Sequence, residues 1–229
     1  METVEEEHGF ARLAWSYKKC RKCSFVLKLP TINENNLKCP ACEFEDSTPS
    51  PFFDLSLCMM IDLMHESYRT GIKLPETSPV FGVTPKQAQN ASVVIFFCTI
   101  RELLLERFLS SFIRWFALPV SLIKRVESDY DTHERRLNKL FPALTGQKWI
   151  EVISSLKSKE TDFVALDLFL KRAATERNNL LHEGDHFGMD DTITKECIVN
   201  LFSLVDLFVA LNNLYINQMR NRLIQKIKI

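Results

Sequence analysis

Four cysteines constrain this chain more tightly than any other feature. Cys20 and Cys23 are separated by two residues, Cys39 and Cys42 likewise, and fifteen residues lie between the pairs. Each pair lets two thiolates close on one ion at the ~2.3 Å sulfur-to-metal distance, and four thiolates complete the tetrahedron that zinc takes in structural sites. A closed four-thiolate site leaves no position open for water, so zinc is expected as a structural cofactor and not as a catalyst. The acidic start METVEEEHGF lacks the apolar core of a signal peptide. Seven cysteines without such a signal point to a reducing compartment, where closely spaced pairs hold metal in preference to forming two disulfides. A cytoplasmic protein is expected.

The segment resembles a zinc ribbon, expected over residues 1 to 46. Its apolar content is thin, chiefly Phe25, Val26, Leu27, Leu29, Ile32 and Leu37, so little besides the metal would hold it together. The run KKCRKC sets Lys18, Lys19, Arg21 and Lys22 around the first pair. Two readings of that charge stand side by side: contact with a phosphate backbone, or compensation of the charge of about −2 on zinc bound by four thiolates. Cys58, Cys98 and Cys197 lie in apolar helical stretches and read as buried core thiols.

Beyond the Ser- and Pro-rich EFEDSTPSP the composition turns apolar. A linker and connecting helix are expected over residues 47 to 80, with Ser50-Pro51 opening the helix and Gly71 capping it; His65 within it reads as structural. Residues 81 to 229 are expected to form a helical bundle. Thr84 with Gln87 makes a capping box over a proline first turn, opening a helix that should reach Leu118 ahead of Pro119. Further helices are expected from Ser121 to Leu140 with a break near Asp131, from Gly146 to Ser155, from Asp162 to Leu181, and from the Asp190-Asp191-Thr192 cluster to Gln225. The fold class is therefore all-α, four to six helices behind a small ribbon.

Several function classes are excluded at this stage. Lys plus Arg and Asp plus Glu number 29 each, so no global field draws the chain to nucleic acid or an anionic membrane. Val93 to Leu118 is apolar but carries Arg101, Glu102, Glu106, Arg107 and Arg114, a pattern that does not span a bilayer, and no membrane partner is expected. Six glycines supply neither a P-loop nor a dinucleotide fingerprint, and no HExxH motif offers a catalytic metal.

One stretch departs from the apolar logic. Phe163, Leu166, Leu170 and Ala173 form a stripe at helical spacing whose next positions are Arg177 and Leu180, while Asp167, Lys171, Arg172 and Thr175 take the opposite, solvated face. Arg177 thus sits where a core side chain belongs and needs an anion, a carboxylate or a cleft. Asn178 and His182 are four apart and share a face; Arg177 and His182 are five apart, about 140° around the axis. They converge on one ligand if the helix ends near His182, or if a second copy brings its own pair across a two-fold axis. Arginine, asparagine and histidine together suit metal-free phosphodiester chemistry: the imidazole shuttles a proton, the guanidinium neutralises phosphoryl charge, the amide orients either.

The motif R-N-x3-H near the end of a helix resembles the R-x4-6-H motif of HEPN-domain proteins. The resemblance covers about residues 81 to 229 and rests on Arg177, Asn178 and His182. It implies a metal-independent endoribonuclease acting on RNA, a homodimer with a composite site, and a place in toxin-antitoxin, antiphage or RNA-processing systems with an antitoxin or other protein partner. Arg177 and His182 would be catalytic with Asn178 in support and Glu176 positioning the arginine; Glu102 and Glu106 are candidates for an upstream acid. Asp185 and His186 are auxiliary candidates. The basic end, Arg220, Arg222, Lys226 and Lys228, complements a helix C-terminus or meets RNA phosphates. The alternative is a non-catalytic module binding nucleic acid, nucleotide or protein, in which Glu102 or Glu106 neutralises Arg177.

Overall fold

The structure, a computed structural model, describes residues 16–28, 37–47, 49–75, 83–115, 119–156, 161–184 and 188–227. These are mostly helical, with small strands confined to the cysteine-bearing segment and its exit. The chain divides into two compact units, one drawing on residues up to Phe97 together with Val209 onward, the other Cys98–Phe208.

In the first unit, β1 (Tyr17–Lys19) pairs antiparallel with β2 (Val26–Lys28), Lys18 facing Leu27. A second hairpin joins β3 (Leu37–Lys38) to β4 (Glu45–Asp46). β5 (Ser50–Pro51) lies on the other side of β1. Ser50 and Pro51 were expected to open a helix; they are strand residues instead. The helix cap belongs to Asp54, whose carboxylate accepts from the Leu57 N–H at 3.1 Å and starts α1 (Leu55–Lys73). Asp54 stands directly before the first helical turn, where its side chain can reach an orphan N–H, whereas Ser50 lies four residues earlier on β5. Gly71 does not cap α1 but lies inside it, because a Cβ there would stand 3.2 Å from Gln89 Cβ. Its role is close approach to α2 (Pro85–Trp115).

Thr84 and Gln87 form the expected capping box, with Gln87 N donating to Thr84 Oγ1 at 3.1 Å and Thr84 N to Gln87 Oε1 at 3.0 Å. Leu57, Ile61, Met64, Val93, Val94 and Phe97 are fully buried in this unit, as are Leu211 and Tyr215 of α8 (Asp191–Ile227). Tyr17 and Phe53 meet edge to face at 5.6 Å under the ribbon.

The second unit holds the rest of α2, then α3 (Val120–Asp129) and the expected break at Tyr130–Thr132. Thr132 caps α4 (His133–Arg135), which runs through a π-helical turn (Arg136–Leu140) into α5 (Phe141–Thr145). Gly146 was expected to start the next helix. With φ at 77° it ends α5 in the left-handed region, and α6 (Trp149–Ser155) begins after Lys148. α7 (Phe163–Glu183) starts from Asp162, whose carboxylate accepts from the Val164 and Ala165 amides. Phe108, Phe141, Trp149 and Phe208 form the centre of this core, Phe141 and Trp149 meeting edge to face at 5.2 Å.

Within α8, Asp191–Ile216 is long and apolar enough to cross a membrane by length and composition alone. Cys197, Leu201, Leu204, Val205 and Leu207 of that stretch are buried in the second unit.

Candidate functional site

The cysteine turns are near copies of one another. Cys20 N donates to Phe25 O at 2.9 Å and Ser24 N to Cys20 O at 2.8 Å; Cys39 N donates to Phe44 O at 2.9 Å and Glu43 N to Cys39 O at 2.8 Å. Ser24 and Glu43, each directly after the second cysteine of its pair, take positive φ, 63° and 57°. That bend turns both thiols of a pair to one side. The four sulfurs lie within 4.8 Å of one another, with Cys20 and Cys42 at 3.7 Å and Cys23 and Cys39 at 3.5 Å. Four sulfurs around one tetrahedral ion at ~2.3 Å would stand about 3.8 Å apart. The cluster is therefore a metal site in shape and donor chemistry. Burial pushes the Cys23 and Cys39 thiols up from their ordinary range, so a cation is what makes their thiolates favourable. Lys22 Nζ lies 5.7 Å from the Phe44 ring centre, bringing one of the basic residues against the second knuckle.

The ribbon is anchored by a residue that no motif marked. Asn213 of α8 takes the Val26 N–H on Oδ1 at 2.8 Å and gives its amide N–H to Val26 O at 2.8 Å. Its neighbour Asn212 donates to Ser24 O at 3.3 Å. One carboxamide thus replaces a missing strand along β2.

In the second unit the stripe on α7 is as expected: Phe163, Leu166, Leu170 and Ala173 are buried. Arg177 follows them with its side chain 19% exposed and is held by a carboxylate from α2, Nη1 donating to Glu102 Oε1 at 2.5 Å. Its Nε and Nη2 both donate to Asn178 Oδ1, at 3.2 and 3.0 Å. The other upstream candidate, Glu106, takes Arg136 at 3.3 Å instead. The Glu176 carboxylate occupies the space a Cβ on Gly188 would need. Asp167, expected on the solvated face, is 1% exposed, because Trp149 Nε1 donates to its Oδ1 at 2.9 Å and Lys171 Nζ reaches Oδ2 at 2.7 Å. A buried indole needs an acceptor, and α7 supplies it.

These groups surround a cavity of about 1190 Å³ lined by Arg101, Glu102, His133, Arg136, Arg177 and Asn178 among others. Arg101 is buried and donates to Leu170 O at 3.1 Å. His133 is new to the site. Burial, with Arg101, Arg177 and Arg136 adding like charge, drives its pKa down to about 3. Neither ring nitrogen has a hydrogen-bond partner.

His182 is exposed in the last turn of α7, which Gly184 closes in the left-handed region at φ 69°. It does not line the cavity. It lies on the same helix face as Asn178, four residues or about 6 Å along the axis, so the structure brings Arg177, Asn178 and Glu102 together and sets the imidazole one turn beyond. Asp185, His186 and Lys228 lie outside the described residues, and the side chains of Arg220, Arg222 and Lys226 outside the described side chains. No family model matches the chain, and neither curated proteins nor solved structures yield a match to it.

Proposed function

We propose that the chain is a HEPN-type, metal-independent endoribonuclease whose second unit cuts RNA through Arg177, Asn178 and His182, with zinc on Cys20, Cys23, Cys39 and Cys42 serving structure alone. The observation that carries this reading is the half-exposed network at the cavity mouth: Arg177 leaves the buried stripe, is fixed by Glu102 and Asn178, and shares a helix end with a free-standing imidazole. Arg177 is oriented for phosphoryl oxygens without being sealed away. In the reaction the ribose 2′-oxygen attacks phosphorus, the bond to the 5′-oxygen breaks, and a 2′,3′-cyclic phosphate remains; His182 takes the 2′-hydroxyl proton and returns one to the leaving oxygen. On a straight α7 the two side chains diverge by about 140°, so a homodimer completes the site by setting one copy's His182 against the other's Arg177. Such an enzyme works in the cytoplasm, as a toxin restrained by an antitoxin or as an antiphage effector.

One observation favours a second reading. The Arg177–Glu102 ion pair is also what a non-catalytic module needs to neutralise a semi-buried guanidinium. The two readings part on one experiment: wild type, His182→Ala and Arg177→Ala are incubated with total RNA in EDTA and fragment ends are mapped. Cyclic phosphate ends from wild type, reduced 100-fold or more in either variant, support the nuclease. Absence of cleavage by wild type supports the module, whereas cleavage of DNA at equal rate or a need for magnesium overturns the 2′-hydroxyl mechanism.

A further inference from the structure

The cavity holds a histidine that neither reading uses. His133 opens α4 after its Thr132 cap and lines the space shared with Arg101, Arg136 and Arg177. Its Nδ1 and Nε2 are shut off from water and take no hydrogen bond. Buried polar atoms are almost always satisfied, and a pair of orphans on one ring marks a place where a partner is missing. Burial, with the surrounding guanidinia adding to it, holds the ring neutral, so it offers one N–H donor and one lone pair.

A ligand that answers this set carries an anion for the arginines, an acceptor for the ring N–H, and a hydroxyl beside the anion for the ring lone pair. The carboxylates lining the same space are mostly engaged: Glu102 by Arg177, and Asp131 by Arg135 at 3.0 Å. Arg136 spends one Nη on Glu106 and its Nε on Tyr130 O, and Arg101 spends Nη1 on Leu170 O. Arg101, held by a neutral carbonyl, therefore keeps charge to offer an anion beside the ring. Reaching the nitrogens requires a shift of the long side chains sharing the lining, of a kind flexible arginines and lysines make readily.

The geometry points to His133 as a ribose-reading residue: the cavity takes a phosphate with its vicinal 2′-hydroxyl, the guanidinia and the ring N–H holding phosphate oxygens while the other ring nitrogen accepts from the hydroxyl. This deepens the RNA reading, since a strand lying in the cavity presents that pair at every nucleotide, and it makes His133 a specificity residue separate from the cleaving groups.

The test uses the full chain with adenosine 3′-monophosphate, its 2′-deoxy analogue and inorganic phosphate, none of which can be cleaved, and compares wild type with His133→Phe by calorimetric titration and thermal melting. Wild type is expected to bind adenosine 3′-monophosphate about tenfold more tightly than either other probe, a ratio typical of one buried hydrogen bond to a hydroxyl. His133→Phe is expected to erase that ratio while raising the Tm of the ligand-free protein, since an apolar ring of similar shape removes both orphans. A structural histidine does not combine those opposite signs. The inference is overturned if wild type does not prefer the ribonucleotide, if His133→Phe binds it as wild type does, or if the variant's ligand-free Tm falls. RNA cleavage by His182 with no effect of His133→Phe on binding sinks this inference alone; preserved binding without any cleavage sinks the nuclease reading alone.

Discussion

The cysteine cluster and the arginine cavity both draw polar atoms out of water, and they meet the cost in opposite ways. In the ribbon, four thiols converge within 4.8 Å, an arrangement that one cation can hold in common. In the cavity the charges come mixed and mostly relieve each other: Glu102 holds Arg177, Glu106 holds Arg136, Lys171 and Trp149 share Asp167. Among the described residues lining the cavity, the His133 ring is left with neither nitrogen bonded. A cluster that shares one ion is all or nothing, so its loss is expected to be abrupt. A mixed network fails by degrees, and a single leftover group inside it is where a ligand finds room.

The largest effect belongs to the ribbon. Cys39→Ser removes a fully buried donor and is expected to reduce bound metal from one ion per chain to a minor fraction. It should also unfold β1 to β4 if the metal is the proposed zinc, since structural zinc contributes about 10–16 kcal/mol of apparent binding energy to zinc-finger peptides. Elemental analysis with amide exchange across residues 16–47 reads both. Retained metal would mean that three thiolates suffice to hold the ion.

Next comes Trp149→Phe, which strands Asp167 Oδ1 without its indole donor. A loss of about 1–3 kcal/mol in denaturant unfolding is expected, with the remaining network intact; complete unfolding would show that the cavity is as brittle as the ribbon. Asn213→Ala leaves the Val26 N–H and C=O unpaired. A cost of about 1–2 kcal/mol is expected, concentrated in faster exchange of the Val26 amide while metal content holds.

The titration of His133 separates the regions by pH. Its folded pKa is depressed to about 3 from an unfolded value near 6.5, so the unfolded chain binds the extra proton. The associated stability is fully present above about pH 6.5 and is lost as pH falls toward 3. His133→Phe should flatten urea midpoints over that window; an unchanged slope would assign the acid sensitivity to other groups. Smallest is Glu43→Gly, expected to stabilise the ribbon by up to about 1 kcal/mol, since a residue at φ 57° is strained unless it is glycine. A melt of the metal-bound protein reads it.

The ribbon was readable because its ligands lie close in sequence and the ion's own geometry dictates their spacing. The α7 stripe was readable too, since helical periodicity carries Phe163 to Ala173 into the core and exposes Arg177 as an exception. What periodicity lacks is the partner. Glu102 lies 75 residues before Arg177, and two glutamates four apart on α2 were equivalent until packing chose between them. Asp167 read as solvated because burial of a carboxylate depends on an indole arriving from α6. His133 carried no signal at all: a histidine after a threonine cap is ordinary until Arg101 and Arg177 arrive from other helices to join Arg136 beside it. Asn213 looked like a polar residue on a long helix, and its work along β2 follows only from where the ribbon comes to rest.

That carboxamide has a consequence for solubility. A short sheet normally offers two raw margins on which a foreign strand can grow, and such growth is how small β-structures begin to clump. Here one margin, β2, is already occupied by Asn213. The other, β5, is two residues long and ends in Pro51, which has no N–H to lend. The three-stranded sheet can therefore face a crowded solution without recruiting neighbours.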